Sequence, residues 1–136
     1  MTTSTINLGP VCRDATTDSF FSATAKGQFP ICRCSDCGVV GGPQQTQCAS
    51  CGSAALAWEA ASGRAVVRSY IVNHQRAAPG ETLAPVVVAI GELAEGPWWW
   101  AQVADVDPDA VTEGMRLVLD FARSGEEMVP IFRPDT

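Results

Sequence analysis

The sequence lacks the features that would place it in a membrane or mark it for secretion. Its longest apolar run, Pro85 to Leu93, has the length of a strand and is too short to span a bilayer. The first residues lack the positive start and the apolar core of a signal peptide. We therefore expect a cytoplasmic protein with reduced thiols and no membrane contact.

Residues that build catalytic sites are equally scarce. The sequence has one histidine, His74, with no nucleophile beside it, and it has no glycine-rich loop of the phosphate-binding kind. Asp105, Asp107 and Asp109 lack the glycine and glutamate of an EF-hand and are interrupted by Pro108, which favours a solvated turn over a calcium site. We predict no catalytic residues and expect that the chain alone is not an enzyme.

Basic side chains are few, and the formal net charge is -6. Residues 1–91 hold six basic and five acidic side chains, whereas residues 92–136 hold three basic and ten acidic ones. The acidic C-terminal half would repel phosphate backbones, which argues against nucleic-acid binding. Arg64 and Arg68 lie on one face of a predicted strand, and Arg76 follows in a loop. These arginines either bind an anion or pair with nearby carboxylates.

Two pairs of cysteines have the spacing of metal ligands. Cys34 and Cys37 stand in Cys-Ser-Asp-Cys-Gly, and Cys48 and Cys51 stand in Cys-Ala-Ser-Cys-Gly. Each Cys-x-x-Cys-Gly closes a tight loop that directs two thiolates to one centre, and four sulfur ligands suit a structural zinc site. We predict a structural zinc ion bound by all four cysteines. A rubredoxin-like iron centre is the alternative.

The pattern before the cysteines predicts a short helix. Capping residues from Asp14 onward precede Phe20 and Phe21, and Gly27 stops the helical spacing. Such a short helix is marginal alone and must dock its phenylalanines on something. They either close the core of this chain or lie across a partner subunit.

The pattern after the cysteines predicts a mostly β chain. Four or five short strands, with a helical turn between the third and the fourth, describe a small OB-fold barrel, and a β-sandwich is the alternative. The predicted organisation is a loose segment and docking helix in residues 1–27, a zinc ribbon in residues 28–58 and a five-stranded OB-fold in residues 59–136.

Strand alternation assigns the apolar residues of the barrel to two faces. Trp98 and Trp100 point one way and Trp99 the other, so we expect at least one exposed tryptophan, unless a wide core and a covering loop enclose them all. An exposed tryptophan is a candidate anchor in a protein interface. The predicted barrel core consists of Val67, Ile71, Val86, Val88, Ile90, Val103, Leu117, Leu119 and Phe121.

Several motifs follow one another in a fixed order over residues 18–134. They are the helix with its phenylalanine pair, the two Cys-x-x-Cys-Gly loops, Glu59 with Ser62-Gly63-Arg64, Pro-Val-Val-Val-Ala from position 85, Glu-Leu-Ala-Glu-Gly from position 92 and Gly-Met-Arg-Leu-Val from position 114. In this order they resemble the rubredoxin-like zinc ribbon plus OB-fold proteins known as domain of unknown function thirty-five. The run between the two cysteine pairs and the triple tryptophan depart from the usual pattern of that family.

This resemblance implies a non-catalytic accessory subunit. Members of the family complete thiolases, lipid-transfer-type aldolases and related acyl-CoA enzymes, including those of steroid side-chain and aromatic-acid breakdown. The implied assembly is therefore a hetero-oligomer with a thiolase-like or lipid-transfer-type aldolase subunit, in steroid, aromatic or fatty acid degradation. The acyl-CoA ligand would lie at or near the interface.

The resemblance also suggests roles for particular residues. The candidate CoA contacts are Arg64, Arg68 and Arg76, because arginines bind phosphates well. The candidate partner contacts are Phe20, Phe21, Trp98 and Trp100. Two other functions fit the predicted parts: a nucleic-acid module, since OB-folds and zinc ribbons both bind nucleic acids, and electron transfer by a four-cysteine iron centre.

Overall fold

The computed structural model describes residues 11–74, 78–81 and 83–135. Within these ranges the chain forms one short α-helix, a three-stranded sheet and a closed five-stranded barrel. The predicted mostly β fold, with an N-terminal helix, a four-cysteine ribbon and an OB-fold barrel, is therefore confirmed. No helix among the described residues is long and apolar enough to cross a membrane.

The short ribbon strands come first along the chain, and the longer barrel strands follow. The elements are α1 (Asp18–Thr24), β1 (Pro30–Cys34), β2 (Val40–Gly41), β3 (Leu56–Ala60), β4 (Arg64–Asn73), β5 (Val86–Leu93), β6 (Trp98–Val103), a 3-10 helix (Pro108–Ala110), β7 (Arg116–Ser124) and β8 (Glu127–Pro134). The ribbon sheet has the order β2-β1-β3, and the barrel has the order β4-β5-β6-β8-β7. The barrel closes through antiparallel pairing of β4 with β7 and parallel pairing of β6 with β8. The predicted helical turn lies between the third and fourth barrel strands, as expected.

Strand β4 changes face at a bulge. Its register with β5 shifts between Val67 and Ser69, so Arg68 is the extra residue. Beyond a bulge every side chain moves to the opposite face from the one that strict alternation gives. Ile71 is therefore 58% exposed, and the prediction that it belongs to the barrel core is wrong.

Strand β5 is apolar on both faces, and the predicted inner face was the wrong one. Val87, Ala89 and Leu93 belong to the core, whereas Val88 and Ile90 are half-buried on the outer face. A strand that is apolar throughout does not reveal by alternation which face points inward. Of the other predicted core residues, Val67, Val86, Val103 and Leu117 are buried, and Leu119 and Phe121 are partly buried against the core.

Aromatic contacts join the helix and the ribbon to the barrel. The ring centroids of Phe20 and Trp99 lie 5.8 Å apart, and those of Phe29 and Trp99 lie 4.8 Å apart. Phe29 and the ribbon residue Ile31 are members of the same buried cluster as the barrel residues. Ribbon and barrel therefore share one core. The ribbon strand β3 runs on to Ala60, and the division after residue 58 stays a prediction.

A side-chain turn between two of the predicted capping residues, Asp14 and Thr17, precedes helix α1. The Asp14 carboxylate accepts a hydrogen bond from the Thr17 N–H at 2.9 Å, and the helix begins at Asp18. Arg13 then fixes this end of the helix to the hairpin of β7 and β8. Its guanidinium donates to both carboxylate oxygens of Glu127 at 2.7 Å and to Asp18 at 3.1 Å.

Candidate functional site

The two cysteine loops have the same backbone geometry. The Gly38 N–H donates to the Cys34 carbonyl oxygen at 2.9 Å, and the Gly52 N–H donates to the Cys48 carbonyl oxygen at 2.9 Å. Gly38 and Gly52 have φ angles of 80° and 77°, in the left-handed region where a Cβ is disfavoured. Each loop therefore closes tightly after its second cysteine and leaves both of its sulfur atoms on one side.

The four predicted metal ligands are brought together. Their Sγ atoms all lie within 4.8 Å of one another. The Cys34–Cys51 and Cys37–Cys48 sulfur pairs are each 3.5 Å apart, far beyond a disulfide bond length of about 2.05 Å. Four sulfurs around an ion at about 2.3 Å would be about 3.8 Å apart along each tetrahedral edge. The cluster therefore has the size and the donor set of a four-sulfur metal site.

Backbone N–H groups prepare the first cysteine of each loop as a metal ligand. Hydrogen bonds from the N–H groups of Cys51 and Ser50 lower the pKa of Cys48 to about 6. A hydrogen bond from the N–H of Cys37 likewise lowers the pKa of Cys34. The thiolate is the form that binds metal, so the lowered pKa values favour metal binding by these two sulfurs.

Polar contacts around the cluster fix the loops against the ribbon strands. The Arg33 guanidinium donates to Glu59 at 2.8 Å and to the Gly38 carbonyl oxygen at 3.2 Å, which ties the first loop to β3. The Ser53 hydroxyl donates to the Asp36 carboxylate and thereby joins the two loops. If an ion is bound, the four sulfur donors fill its tetrahedral coordination, as in a closed structural site.

The candidate anion-binding arginines differ in whether a carboxylate already pairs with the guanidinium. Arg68 donates to the Glu92 carboxylate from Nε at 2.8 Å, so its charge is already balanced. Arg64 has no ion pair among the described residues, and it lines a shallow depression together with Arg116. Arg76 lies outside the described residues. Sequence reasoning did not single out Arg116, which the pairing of β4 with β7 brings near Arg64.

The candidate partner-binding aromatics divide into two groups. Phe21 is buried, with the Arg13 guanidinium carbon 6.0 Å from its ring centre, and Phe20 is stacked on Trp99. Both phenylalanines thus contact their own chain, which was the first of the two alternatives for this helix. Trp98 and Trp100 are 57% and 68% exposed, so they are available to another molecule.

Comparison with known proteins gives the family. The family described as the C-terminal OB-fold domain of ChsH2 matches residues 58–122. A DUF35 domain-containing scaffold protein of Methanothermobacter thermautotrophicus is 33% identical over 96 residues, which are 70% of this chain and 72% of the relative. Another protein of that description, from Methanocaldococcus jannaschii, is 35% identical over 96 residues, 70% of this chain and 68% of the relative. The chain belongs to the DUF35 family.

A third relative is longer than this DUF35 chain. It is a probable enoyl-CoA hydratase alpha subunit of Thermomonospora curvata, 35% identical over 118 residues. The match covers 85% of the DUF35 chain, which spans only 36% of the length of that relative.

Two solved structures share the fold of this DUF35 chain. One is titled Ltp2-ChsH2(DUF35) aldolase; it superposes with a TM-score of 0.77 at 32% identity and covers 91% of this chain and 98% of that one. A DUF35 protein of unknown function from Sulfolobus solfataricus superposes with a TM-score of 0.64 at 18% identity, over 89% of this chain and 86% of that one. The second likeness concerns the fold alone.

Proposed function

We propose that this DUF35 chain is a non-catalytic accessory subunit of an enzyme that acts on acyl-CoA. The observation that carries this proposal is the likeness to almost the whole of a chain from a structure titled Ltp2-ChsH2(DUF35) aldolase, at 32% identity. The names of the other relatives agree with it, since two are scaffold proteins and one is a subunit of a probable enoyl-CoA hydratase. The partner is a lipid-transfer-type aldolase or a thiolase-like subunit, in a hetero-oligomer.

The metal in this proposal is a structural zinc ion held by Cys34, Cys37, Cys48 and Cys51. Four thiolates fill the tetrahedral coordination and leave no position for a substrate, so the ion stabilises the ribbon and supplies no chemistry. The fixed ribbon holds Phe29 and Ile31 in the shared core, and this sets the position of the ribbon relative to the barrel. Metal analysis of purified protein tests this step: one zinc per chain and no visible colour support it, and an iron spectrum overturns it.

The acyl-CoA in this proposal comes from the degradation of steroid side chains, aromatic acids or fatty acids. The candidate CoA contacts remain Arg64, Arg68 and Arg76. Arg64 has an available guanidinium to offer a phosphate, whereas Arg68 would exchange its bond with Glu92 for one with the ligand. The chain therefore contributes charge to a ligand site that the partner completes.

Co-expression tests the proposed function. The tagged DUF35 chain is produced together with an aldolase or thiolase-like subunit from the same genome, and the mixture is separated by gel filtration. One heteromeric peak and a higher rate of acyl-CoA cleavage than that of the enzyme subunit alone are expected. Two separate peaks and an unchanged rate contradict the proposal. An unrelated enzyme subunit with a similar net charge is the control for non-specific association.

One observation favours a nucleic-acid module as the second candidate. Trp98 and Trp100 lie on the third strand of the barrel, and OB-folds bind oligonucleotides over their second and third strands, where bases stack on aromatic side chains. Among the residues of this face that the structure describes, the basic groove that such binding also needs is missing, because Arg68 is paired with Glu92. Titration with a single-stranded oligonucleotide at low salt decides: unchanged tryptophan fluorescence rejects this candidate.

A further inference from the structure

Five apolar side chains share the outer surface of three neighbouring barrel strands. They are Ile71 on β4, Val88 and Ile90 on β5, and Trp98 and Trp100 on β6, and we name this set the tryptophan face. The strand register makes it continuous, since Ile71 is paired with Val88 and Ile90 is paired with Trp100. Four of the five side chains, all except Trp98, line one depression of about 240 Å³.

The tryptophan face is unusually exposed for its composition. Ile71, Trp98 and Trp100 are 58%, 57% and 68% exposed. With about 150–250 Å² available on each aromatic side chain, these exposures leave a surface of roughly 300–400 Å². This is comparable to the largest apolar patch of a typical monomer, which is often functional. It is about half of the roughly 800 Å² that one partner contributes to a standard interface, so it would form the centre of one.

Charge restricts what can cover this face. The residues in register with it on β4 to β6 include one acidic side chain, Glu92, and its charge is balanced by Arg68. The other outward neighbours, Ser69 and Gln102, are uncharged. The occupant must therefore be apolar at its centre. A net charge of -6 disfavours both a second copy of this chain and a phosphate backbone, and the proposed function supplies a different polypeptide, the enzyme subunit, as the occupant.

The closed barrel restricts how that polypeptide can bind. β4 is paired with β5 and β7, β5 with β4 and β6, and β6 with β5 and β8. Of these strands β5 is paired on both sides along its length, whereas β4 pairs with β7 only over residues 64–66 and β6 pairs with β8 only at Val103. The middle of the face therefore offers only side chains, and binding there occurs through large aromatic anchors that enter pockets on the partner.

We propose that the tryptophan face is the docking surface for the acyl-CoA enzyme subunit, with Trp100 as its central anchor. This inference rests on the proposed function, because it takes the partner from there. It adds the surface of this chain that binds and the kind of surface that it binds to. The latter is an apolar, uncharged patch on the enzyme subunit with a recess for an indole. The bulge at Arg68 contributes to the tryptophan face, because it turns the side chain of Ile71 outward.

The test measures binding between the full-length DUF35 chain and the co-expressed enzyme subunit. Trp100→Glu places a charge at the centre of the face, and Ile71→Glu places one at its edge. Trp58→Glu is the matched control, since Trp58 is 51% exposed but lies on β3 of the ribbon. Because an anchor is worth about 2 kcal/mol or more, Trp100→Glu should weaken binding at least about 30-fold. Trp58→Glu should change it less than about threefold.

Each result supports or overturns the inference. Circular dichroism and metal content first check that Trp100→Glu and the milder variant Trp100→Gln are folded. If both folded variants bind the enzyme subunit as tightly as the original chain does, the face is not the docking surface, although the proposed function stands. If the original chain does not bind the enzyme subunit, both fail. A dimer of the chain alone that Trp100→Gln abolishes would assign the face to a second copy. Loss of oligonucleotide binding in the same variant would assign it to nucleic acid.

Discussion

The space opposite Gly91 in the barrel gives the sharpest test of the packing. A Cβ on Gly91 would lie 2.6 Å from Cζ of Phe132 and 3.1 and 3.2 Å from its two Cε atoms. Ordinary carbon contacts are about 3.5–4.0 Å, so the ring would have to move by about 1 Å. Phe132 is completely buried, and its neighbours leave it little room for such a shift. We therefore expect Gly91→Ala to destabilise the barrel.

The size of the effect follows from two opposing terms. Overpacking of a core costs about 1–3 kcal/mol. Alanine recovers about 0.4–1 kcal/mol through the unfolded chain, because the φ of Gly91 is not in the left-handed region. The net loss is then about 1–2 kcal/mol in the free energy of unfolding. For a chain of this size it corresponds to a fall in Tm of about 3–10 °C.

Urea unfolding and thermal melts, followed by circular dichroism, measure this change. Gly42→Ala is the matched control, since its Cβ would approach only the flexible Gln44 side chain, whose Oε1 atom lies 2.9 Å away. Phe132→Leu in the Gly91→Ala background should cost less than the sum of the two single changes, because the atoms that clash are removed. A Gly91→Ala protein as stable as the original, or strictly additive effects in the double variant, would refute the reasoning.

Two further predictions concern the metal and pH. Cys48→Ser should abolish metal binding and unfold the ribbon, because binding of structural zinc contributes about 10–16 kcal/mol to the folding of small zinc domains. Cys12→Ser is the control and should retain the metal, since Cys12 lies outside the cluster. Metal content and circular dichroism are measured for both variants. The hydrogen bond from Arg13 lowers the pKa of Glu127 in the folded chain. The ionised Glu127 side chain therefore stabilises the fold fully above its unfolded pKa of about 4.3, and this stabilisation is lost as the pH falls through its folded pKa. Glu127→Gln should therefore be less stable than the original chain at pH 7 and nearly equal to it at the acid end, as measured by urea unfolding; an equal loss at both ends would contradict this.

The cluster of four cysteines and the order of elements could be predicted from sequence because their determinants are local. Each cysteine loop is five residues long, and its closing hydrogen bond and its glycine lie inside those residues. The strand pattern and the turn residues between strands likewise suffice for the number of barrel strands. Such features depend on short stretches of chain, where spacing determines geometry.

The faces of the barrel strands could not be predicted, because distant residues decide them. Alternation through β4 failed at Arg68, where a bulge shifts the register against β5. In β5 the inward face is the one on which Gly91 leaves room for the ring of Phe132, which lies on β8 and is 41 positions later in the sequence. Likewise, the ion pair between Arg68 and Glu92 exists only once β4 and β5 are in register. Non-local size and charge matching of this kind leaves no periodic signal.

The ribbon that carries the four cysteines and the tryptophan face are connected through one side chain. Trp99 points inward between the two exposed tryptophans of β6 and packs against Phe29 from the ribbon and Phe20 from the helix. The ribbon therefore supports β6 from behind the face on which we propose that the enzyme subunit docks. Removing the metal should then weaken partner binding although no cysteine lies on that face.

Chelation of the purified chain, followed by the same binding titration, tests this connection. Re-addition of zinc should restore the affinity, since the support of β6 depends on the ribbon and not on a metal contact with the partner. Phe29→Leu in the metal-loaded chain is the discriminating variant: it leaves all four sulfur ligands in place but removes the ring that packs on Trp99. If binding survives chelation while the ribbon unfolds, the barrel alone presents the face, and the ribbon serves another purpose.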